Sequence, residues 1–277
     1  MKRVRIAQIG TGHDHAIATF RSLMAHPEAF ELVGVAEPNP QRVKDLYTDA
    51  PHCTVDELLA MDDLDAVAVE TEESLSTEYA QLFADRGIAI HLDKPGAQNL
   101  ETFTKLIETV KAKNLPFQVG YMYRYNPAVQ RALELVRSGR LGNITAVELQ
   151  MSQCYHGDML RFLGDLPGGM MFYLGCHLVD LMLLAQGEPL DVLPFNTASG
   201  TEEAGIQDVG FALLRYPHGL SFIKTAACEV SGDARRQMVI TGTRGTVEIK
   251  PLENPVEVPG MLCANQIDCR ITYPTSI

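Results

Sequence analysis

The chain has 277 residues, of which 46% are hydrophobic and 21% charged, with a formal net charge of -12. That length carries two domains with real cores, and the acidic balance speaks against a nucleic-acid or anionic-membrane surface, so small-molecule chemistry is the expectation. Six cysteines show neither paired metal-ligand spacing nor the density of a disulfide scaffold, and the segment after Met1 turns at once into a strand with no spanning or signal-like apolar run. A reduced, cytoplasmic protein is expected on those grounds.

In chain order, Val4 to Ile9 reads as a strand, and Gly10-Thr11-Gly12-His13-Asp14-His15 leads into a helix ending near Ala25. The first glycine permits a tight turn and the second lets the backbone approach a pyrophosphate, which then rests on the helix amino terminus. His15 stands where the third glycine of this fingerprint belongs. A second strand, Glu31 to Ala36, ends in Glu37, the place of a ribose-binding carboxylate. Such a carboxylate accepts from a free 2'-hydroxyl and repels a 2'-phosphate, which favours NAD without excluding NADP. The competing reading of Glu37 is a solvated turn acid before Pro38. No metal role is expected for His13, Asp14 and His15, because adjacent residues on a helix point different ways.

The alternation continues with a helix from Val55 to Met61, a strand from Asp65 to Val69, a helix from Ser74 to Arg86 and a strand from Ile88 to Leu92. Asn99 caps a helix running to Lys113, and Phe117 to Tyr121 is again a strand. This pattern predicts a doubly wound parallel α/β sheet of the Rossmann type. Lys94 follows the strand ending at Leu92 and precedes Pro95, which restricts its backbone to an extended turn. Ligands of open parallel sheets bind outside the carboxyl ends of strands, so a lysine preset there can hold substrate and cofactor together.

The domain boundary falls near Gly120 to Asn126, giving domains at 1–122 and 123–277. A helix from Pro127 to Arg137 is followed by strands at Thr145 to Gln153, Asp208 to Tyr216, Leu220 to Cys228, Gln237 to Thr241 and Thr246 to Lys250. Their hairpin turns predict an α+β domain on a largely antiparallel sheet, one face of which serves homo-oligomer contacts in a dimer or tetramer. Within it, His177 opens a helix that Gly187 and Pro189 end. Tyr173, His177 and Asp180 fall on one helical face, where an imidazole between a phenol and a carboxylate can be held as a general base. The competing reading is a structural histidine at a domain interface.

Taken together, Gly10-Thr11-Gly12, Asp93-Lys94-Pro95, the run from Gly120 to Pro127 and Gly175-Cys176-His177-Leu178-Val179-Asp180 resemble the Gfo/Idh/MocA family of NAD(P)-dependent oxidoreductases. The resemblance implies a Rossmann domain followed by an α+β substrate domain. It implies that Lys94 contacts the substrate hydroxyl and the nicotinamide, while His177 takes the hydroxyl proton, with Tyr173 beside it as a further catalytic candidate. Cofactor binding is expected of Gly10, Thr11, Gly12, His13, Glu37, Thr71 and Lys94. Substrate binding is expected of Lys94, Arg124, His177 and Asp180, and no metal is expected.

Four departures from the family pattern stand out. Asp93 replaces a glutamate, Tyr173 an aspartate and Ser76 a common histidine, while Glu70-Thr71-Glu72-Glu73 replaces a neutral segment. A phenol is neutral where the family carboxylate is charged, so it can donate a hydrogen bond but cannot support an imidazolium. Three carboxylates near a pyrophosphate weaken its binding unless they are paired or face away. The stretch Pro251 to Ile277 reads as irregular and shorter than the family's. The expected function is hydride transfer between a nicotinamide cofactor and a secondary alcohol or ketone of a sugar, cyclitol or related polyol. The alternative is a catalytically weak nucleotide- or sugar-binding protein on the same fold.

Overall fold

Parallel strands cannot be joined by a tight turn, so short buried strands alternating with helices commit the first part of this chain to crossover connections. The computed structural model describes residues 2–42, 47, 49–201, 205–253 and 269–273. They fall into two compact units that divide between Gly120 and Tyr121.

The first unit comprises β1 (Val4–Ile9), α1 (Ala16–Ala25), β2 (Phe30–Ala36), α2 (Val55–Leu59), β3 (Ala66–Val69), α3 (Ser76–Asp85), β4 (Ala89–Leu92), α4 (Leu100–Lys113) and β5 (Phe117–Val119). Its sheet is wholly parallel with the order β2-β1-β3-β4-β5. The order reverses between β1 and β3, and at that switch point a ligand crevice lies outside the carboxyl ends of the strands. Ile9, Val67, Val69, Ile90 and Leu92 pack with Phe83 of α3 and Leu106 of α4 to form the core. Gln8 interrupts the apolar run of β1 and is fully buried. Its amide donates to the carbonyls of Gly10 at 3.0 Å and Ala16 at 3.2 Å, fastening the turn after β1 to the start of α1. The helix ends follow local rules: Asn99 accepts from the Thr102 amide at 3.1 Å, and α4 stops at Asn114, whose φ of 52° is left-handed.

The second unit comprises α5 (Pro127–Arg137), β6 (Ile144–Ser152), α6 (Asp158–Asp165), α7 (Gly169–Tyr173), α8 (Gly175–Gln186), β7 (Asp191–Thr197), β8 (Val209–Tyr216), β9 (Gly219–Ala226), β10 (Gln237–Gly242), β11 (Gly245–Ile249) and β12 (Cys269–Thr272). Its sheet runs β12-β11-β10-β6-β9-β8-β7, antiparallel at every pair except β6 with β9. Leu149, Met151, Ile223, Met238, Ile240 and Val247 form the inner face, against Leu178, Leu181 and Met182 of α8 and Val129 and Leu133 of α5. On the outer face Phe195, Phe211 and Phe222 form a row of ring contacts.

The fold class follows the expectation, with local corrections. The strand expected to reach Tyr121 stops at Val119, because Met122–Tyr125 coils into a 3₁₀ turn. The helices α6 and α7 and the strand β7 were not anticipated; β7 contains Pro194 and is exposed throughout, which only an edge strand tolerates. The stretch after Pro251 is not wholly irregular, since β12 pairs with β11. Residues 254–268 and 274–277, with Cys263 among them, lie outside the described residues.

The turn after β1 can be tested by comparing two glycines with nearly equal φ. Gly10 and Gly87 have φ of +87° and +82°, but a Cβ on Gly10 would lie 2.7 Å from the Thr71 backbone, whereas one on Gly87 would meet nothing within 4 Å. Gly87→Ala should therefore cost only the left-handed penalty of about 1–2 kcal/mol. Gly10→Ala should cost about 1–3 kcal/mol more, from forcing a methyl into packed backbone. Urea unfolding of both variants measures the difference, and equal losses would remove the close approach as a constraint.

Candidate functional site

At the end of β1 the chain must turn sharply beneath the end of β3, and Gly10 does so with its amide on the Ala36 carbonyl at 2.7 Å. Thr11 gives both its amide, at 2.7 Å, and its hydroxyl to Glu37 Oε2, while the Asn39 amide reaches Glu37 Oε1 at 2.7 Å. Glu37 thus lies beside the glycine turn, where the sequence led one to look for a ribose ligand. A carboxylate has about four acceptor positions, so one remains on Oε1. Thr71, expected at the cofactor, is buried with its backbone under Gly10.

The acidic segment after β3 is accommodated residue by residue. The Glu70 carbonyl accepts the amides of Gly12 and His13, both at 3.0 Å. The Glu70 side chain is fully buried, and burial together with the Asp93 charge pushes its carboxyl well above the ordinary range. Burial also works against the charge of Asp93, yet hydrogen bonds from His13 and His15 hold that carboxyl well below the ordinary range. Of the two carboxyls, Glu70 is therefore the one that more readily takes a proton. Glu72 is bridged by Arg42 at 2.6 and 3.1 Å, directly beside Gly12, where a Cβ would lie 2.9 Å from the carboxylate. Burial opposes the Glu72 charge, but the Arg42 hydrogen bond prevails and lowers its pKa. Glu73 is buried 3.7 Å from His13 Nε2. Each of the three carboxylates is thus paired or buried, which removes the conflict expected with a phosphate. Arg42 was missed by the sequence reading; its signal was a guanidinium in the loop after β2, from which side chains reach a cofactor's ribose.

Lys94 emerges directly after β4 with its side chain 1% exposed and its Nζ 3.9 Å from Asp14 Oδ1. Its backbone is fixed on both sides: the amide donates to Asp93 Oδ1 at 2.6 Å and the carbonyl faces His13 Nε2 at 2.9 Å. The premise that His13, Asp14 and His15 point apart does not hold. Helix α1 begins only at Ala16, so all three belong to the turn and cap, and the two imidazoles meet edge-on with centroids 4.9 Å apart. Burial opposes charge on His13, but Asp93 outweighs it and raises the pKa.

In the second unit His177 is buried near the start of α8. Its ring meets those of Tyr121 and Tyr123 edge-on, at 5.8 and 5.0 Å. Burial, with Cys176 and Asp180 adding to it, pushes the Tyr121 phenol up, so that it is a neutral neighbour. Asp180 accepts from Arg124 Nε at 2.8 and 3.0 Å and from a terminal nitrogen of the same guanidinium. The shared helical face expected for Tyr173, His177 and Asp180 is interrupted: Leu174 separates α7 from α8, and the Tyr173 ring packs edge-on against Phe162 and Tyr155 at 5.7 and 6.4 Å. Tyr121 and Tyr123 were not singled out as site residues, although the run from Gly120 to Pro127 contained them. Among the described residues no helix is long and apolar enough to cross a membrane.

Residues 4–121 match the oxidoreductase family described as having an NAD-binding Rossmann fold, and residues 129–248 match the GFO/IDH/MocA C-terminal domain. D-xylose 1-dehydrogenase (NADP(+)) 2 of Haloferax volcanii is 29% identical over 201 residues, covering 71% of this chain and 60% of that protein. A 1-carboxy-3-chloro-3,4-dihydroxycyclohexa-1,5-diene dehydrogenase of Comamonas testosteroni is 24% identical over 233 residues, covering 79% of this chain and 56% of that protein. The matches span less than two thirds of either relative. The WlbA dehydrogenase of Bordetella pertussis, solved with NADH and UDP-GlcNAcA, superposes with a TM-score of 0.83 at 21% identity, covering 100% of this chain and 79% of that one. At that identity the likeness shows the fold alone.

The Arg42–Glu72 pair has a pH signature. Because its folded-state pKa is lowered from 4.5, Glu72 contributes stability that is present above that value and lost as pH falls through the folded-state value. Both side chains are about a third exposed, so Arg42→Ala should cost only ~0.2–1 kcal/mol at pH 7. The difference should shrink towards zero as Glu72 is protonated. Urea unfolding across the acid limb checks this, and an undiminished difference in acid would place the effect elsewhere.

Proposed function

This chain belongs to the Gfo/Idh/MocA family of oxidoreductases, and from its site residues we propose that it is an NAD(P)-dependent dehydrogenase or reductase. Its proposed substrate is a secondary alcohol, or the corresponding ketone, of a sugar, cyclitol or related polyol. The observation that carries this reading is Lys94, buried at the carboxyl end of β4 and fixed by backbone hydrogen bonds on both sides.

The residues present fit a dinucleotide: Gly12 leaves bare backbone beside the Arg42 guanidinium, and Glu37 keeps an acceptor position. The Gly10–Gly12 turn, Glu37 and Arg42 would hold it, with NAD preferred through Glu37. A nicotinamide cofactor, when bound, accepts or supplies the hydride. The Lys94 ammonium then stabilises the negative charge that develops on the substrate oxygen, which is worth most in a water-poor site. His177 takes the hydroxyl proton on a ring nitrogen, its ring plane held by Tyr121 and Tyr123. Arg124, oriented by Asp180 and about half exposed, has further N–H donors for substrate hydroxyls. Tyr173 is proposed to act on specificity through its packed ring. The second reading, a weakly catalytic binding protein, is favoured by one observation: the Gly12 and His13 amides are committed to Glu70.

We also place self-association on the outer face of the second sheet, where Leu193 and Phe195 are exposed beside Phe211. Cys53, Cys154, Cys176 and Cys228 form no disulfide, which suits a cytoplasmic setting.

Lys94→Ala should abolish turnover on a sugar and polyol panel while retaining most nucleotide affinity by calorimetry, and His177→Asn should lower kcat by ~10²–10⁴. Unchanged turnover in Lys94→Ala would sink the dehydrogenase reading. NADP(H) binding as tightly as NAD(H) would remove the role given to Glu37. For the outer face, light scattering should report a dimer or tetramer that Phe195→Glu shifts towards the monomer; a monomeric wild type would end that assignment.

A further inference from the structure

We infer that His13, His15 and Asp93 form a site for one divalent transition-metal ion of the zinc class. The site lies wholly within the first unit and does not depend on the dehydrogenase reading. The ligand atoms of these three residues all lie within 4.8 Å of one another. Asp93 Oδ2 is 3.1 Å from both His13 Nδ1 and His15 Nδ1, and Asp14 Oδ1 is 3.0 Å from His13 Nδ1. Zinc bonds of about 2.0–2.2 Å in a tetrahedron set neighbouring donors roughly 3.3–3.6 Å apart, so small side-chain shifts admit an ion.

The surroundings match what a ligating imidazole requires. His13 Nε2 donates to the Lys94 carbonyl at 2.9 Å, so an ion at Nδ1, the nitrogen that faces the other donors, would replace the proton shared there with Asp93. A metal-bound histidine commonly gives its second N–H to a carbonyl in this way. The His15 amide also points at Nδ1, at 3.1 Å, and an ion must displace that contact. Asp93 is likewise oriented, with Oδ1 taken by the Lys94 amide at 2.6 Å and Oδ2 turned to the imidazoles.

Charge points the same way. Around His13 the carboxyl groups of Asp14, Glu70, Glu73 and Asp93 outnumber the one ammonium of Lys94, an excess of acidic groups that favours a dication. The positive end of α1 opposes a cation, but by only ~0.3–1 kcal/mol. Two imidazoles with carboxylates select zinc, cobalt or iron over magnesium or calcium, which prefer oxygen throughout. Held by His13, His15 and Asp93, with water completing its shell, the ion would tie the turn after β1 to the end of β4.

The test uses untagged, metal-stripped full chain. Zinc titrated by calorimetry should bind at one equivalent per chain, cobalt(II) should give the intense visible bands of tetrahedral coordination, and zinc should raise the melting temperature. His15→Ala, at a partly exposed position, should weaken zinc at least ~tenfold, and His13→Gln should do the same. His156→Ala, at the separate Cys154–His156 contact of the second unit, should change nothing. Absence of saturable binding at micromolar zinc, or full affinity in His15→Ala, would overturn the site and leave a proton-held imidazole between two carboxylates. Loss of binding in His156→Ala alone would equally overturn it.

Discussion

A buried, ionised carboxylate needs donors from several directions, and Asp93 draws them from two loops that are far apart in sequence. His13 and His15 come from the turn after β1, and the Lys94 amide from its own strand end. Leaving such a charge unpaired costs several kcal/mol, so the three donors are held in place as firmly as Asp93 is buried. Lys94 inherits its position from this arrangement. Its amide and carbonyl are both used to orient groups of the turn, which leaves only its side chain available for chemistry.

The acidic segment after β3 shows how local and tertiary terms divide. By composition alone, Glu70, Glu72 and Glu73 weigh against any phosphate near Gly12. In the fold they meet three different fates: full burial beside Asp93, pairing with Arg42, and burial against His13. Burial, with the neighbouring Asp93 charge, raises the Glu70 carboxyl and so eases the repulsion between the two. The net effect is that Glu72, the acid beside the glycine turn, carries its own counter-charge with it.

What was legible in the sequence is what local physics decides. Strand and helix periods, the Asn99 cap, the stop at Gly187 and the placing of Glu37 and Lys94 at strand ends could all be read from neighbours within a few residues. The helical-face reading of Tyr173, His177 and Asp180 was misleading because it assumed one unbroken helix. A break at Leu174 let Tyr173 join Phe162 and Tyr155, while Asp180, on the same helix as His177, pairs with Arg124. Arg42 was invisible for a related reason, since its partner Glu72 belongs to another loop. β7 was lost because its exposure leaves no alternation to detect.

The departures from the family pattern also gain a common explanation in the first unit. His15 in place of a glycine, Asp93 in place of a glutamate, and Glu70 and Glu73 in place of neutral residues all face the same few ångströms around His13. Aspartate is one methylene shorter than glutamate, which keeps its carboxylate close enough to bond its own following amide while reaching both imidazoles. A glycine at position 15 could not supply the second imidazole. Read singly, His15 and the added carboxylates weigh against a dinucleotide site. Together they build a connected network of imidazoles and carboxylates between two loops, and its members make physical sense only in one another's company.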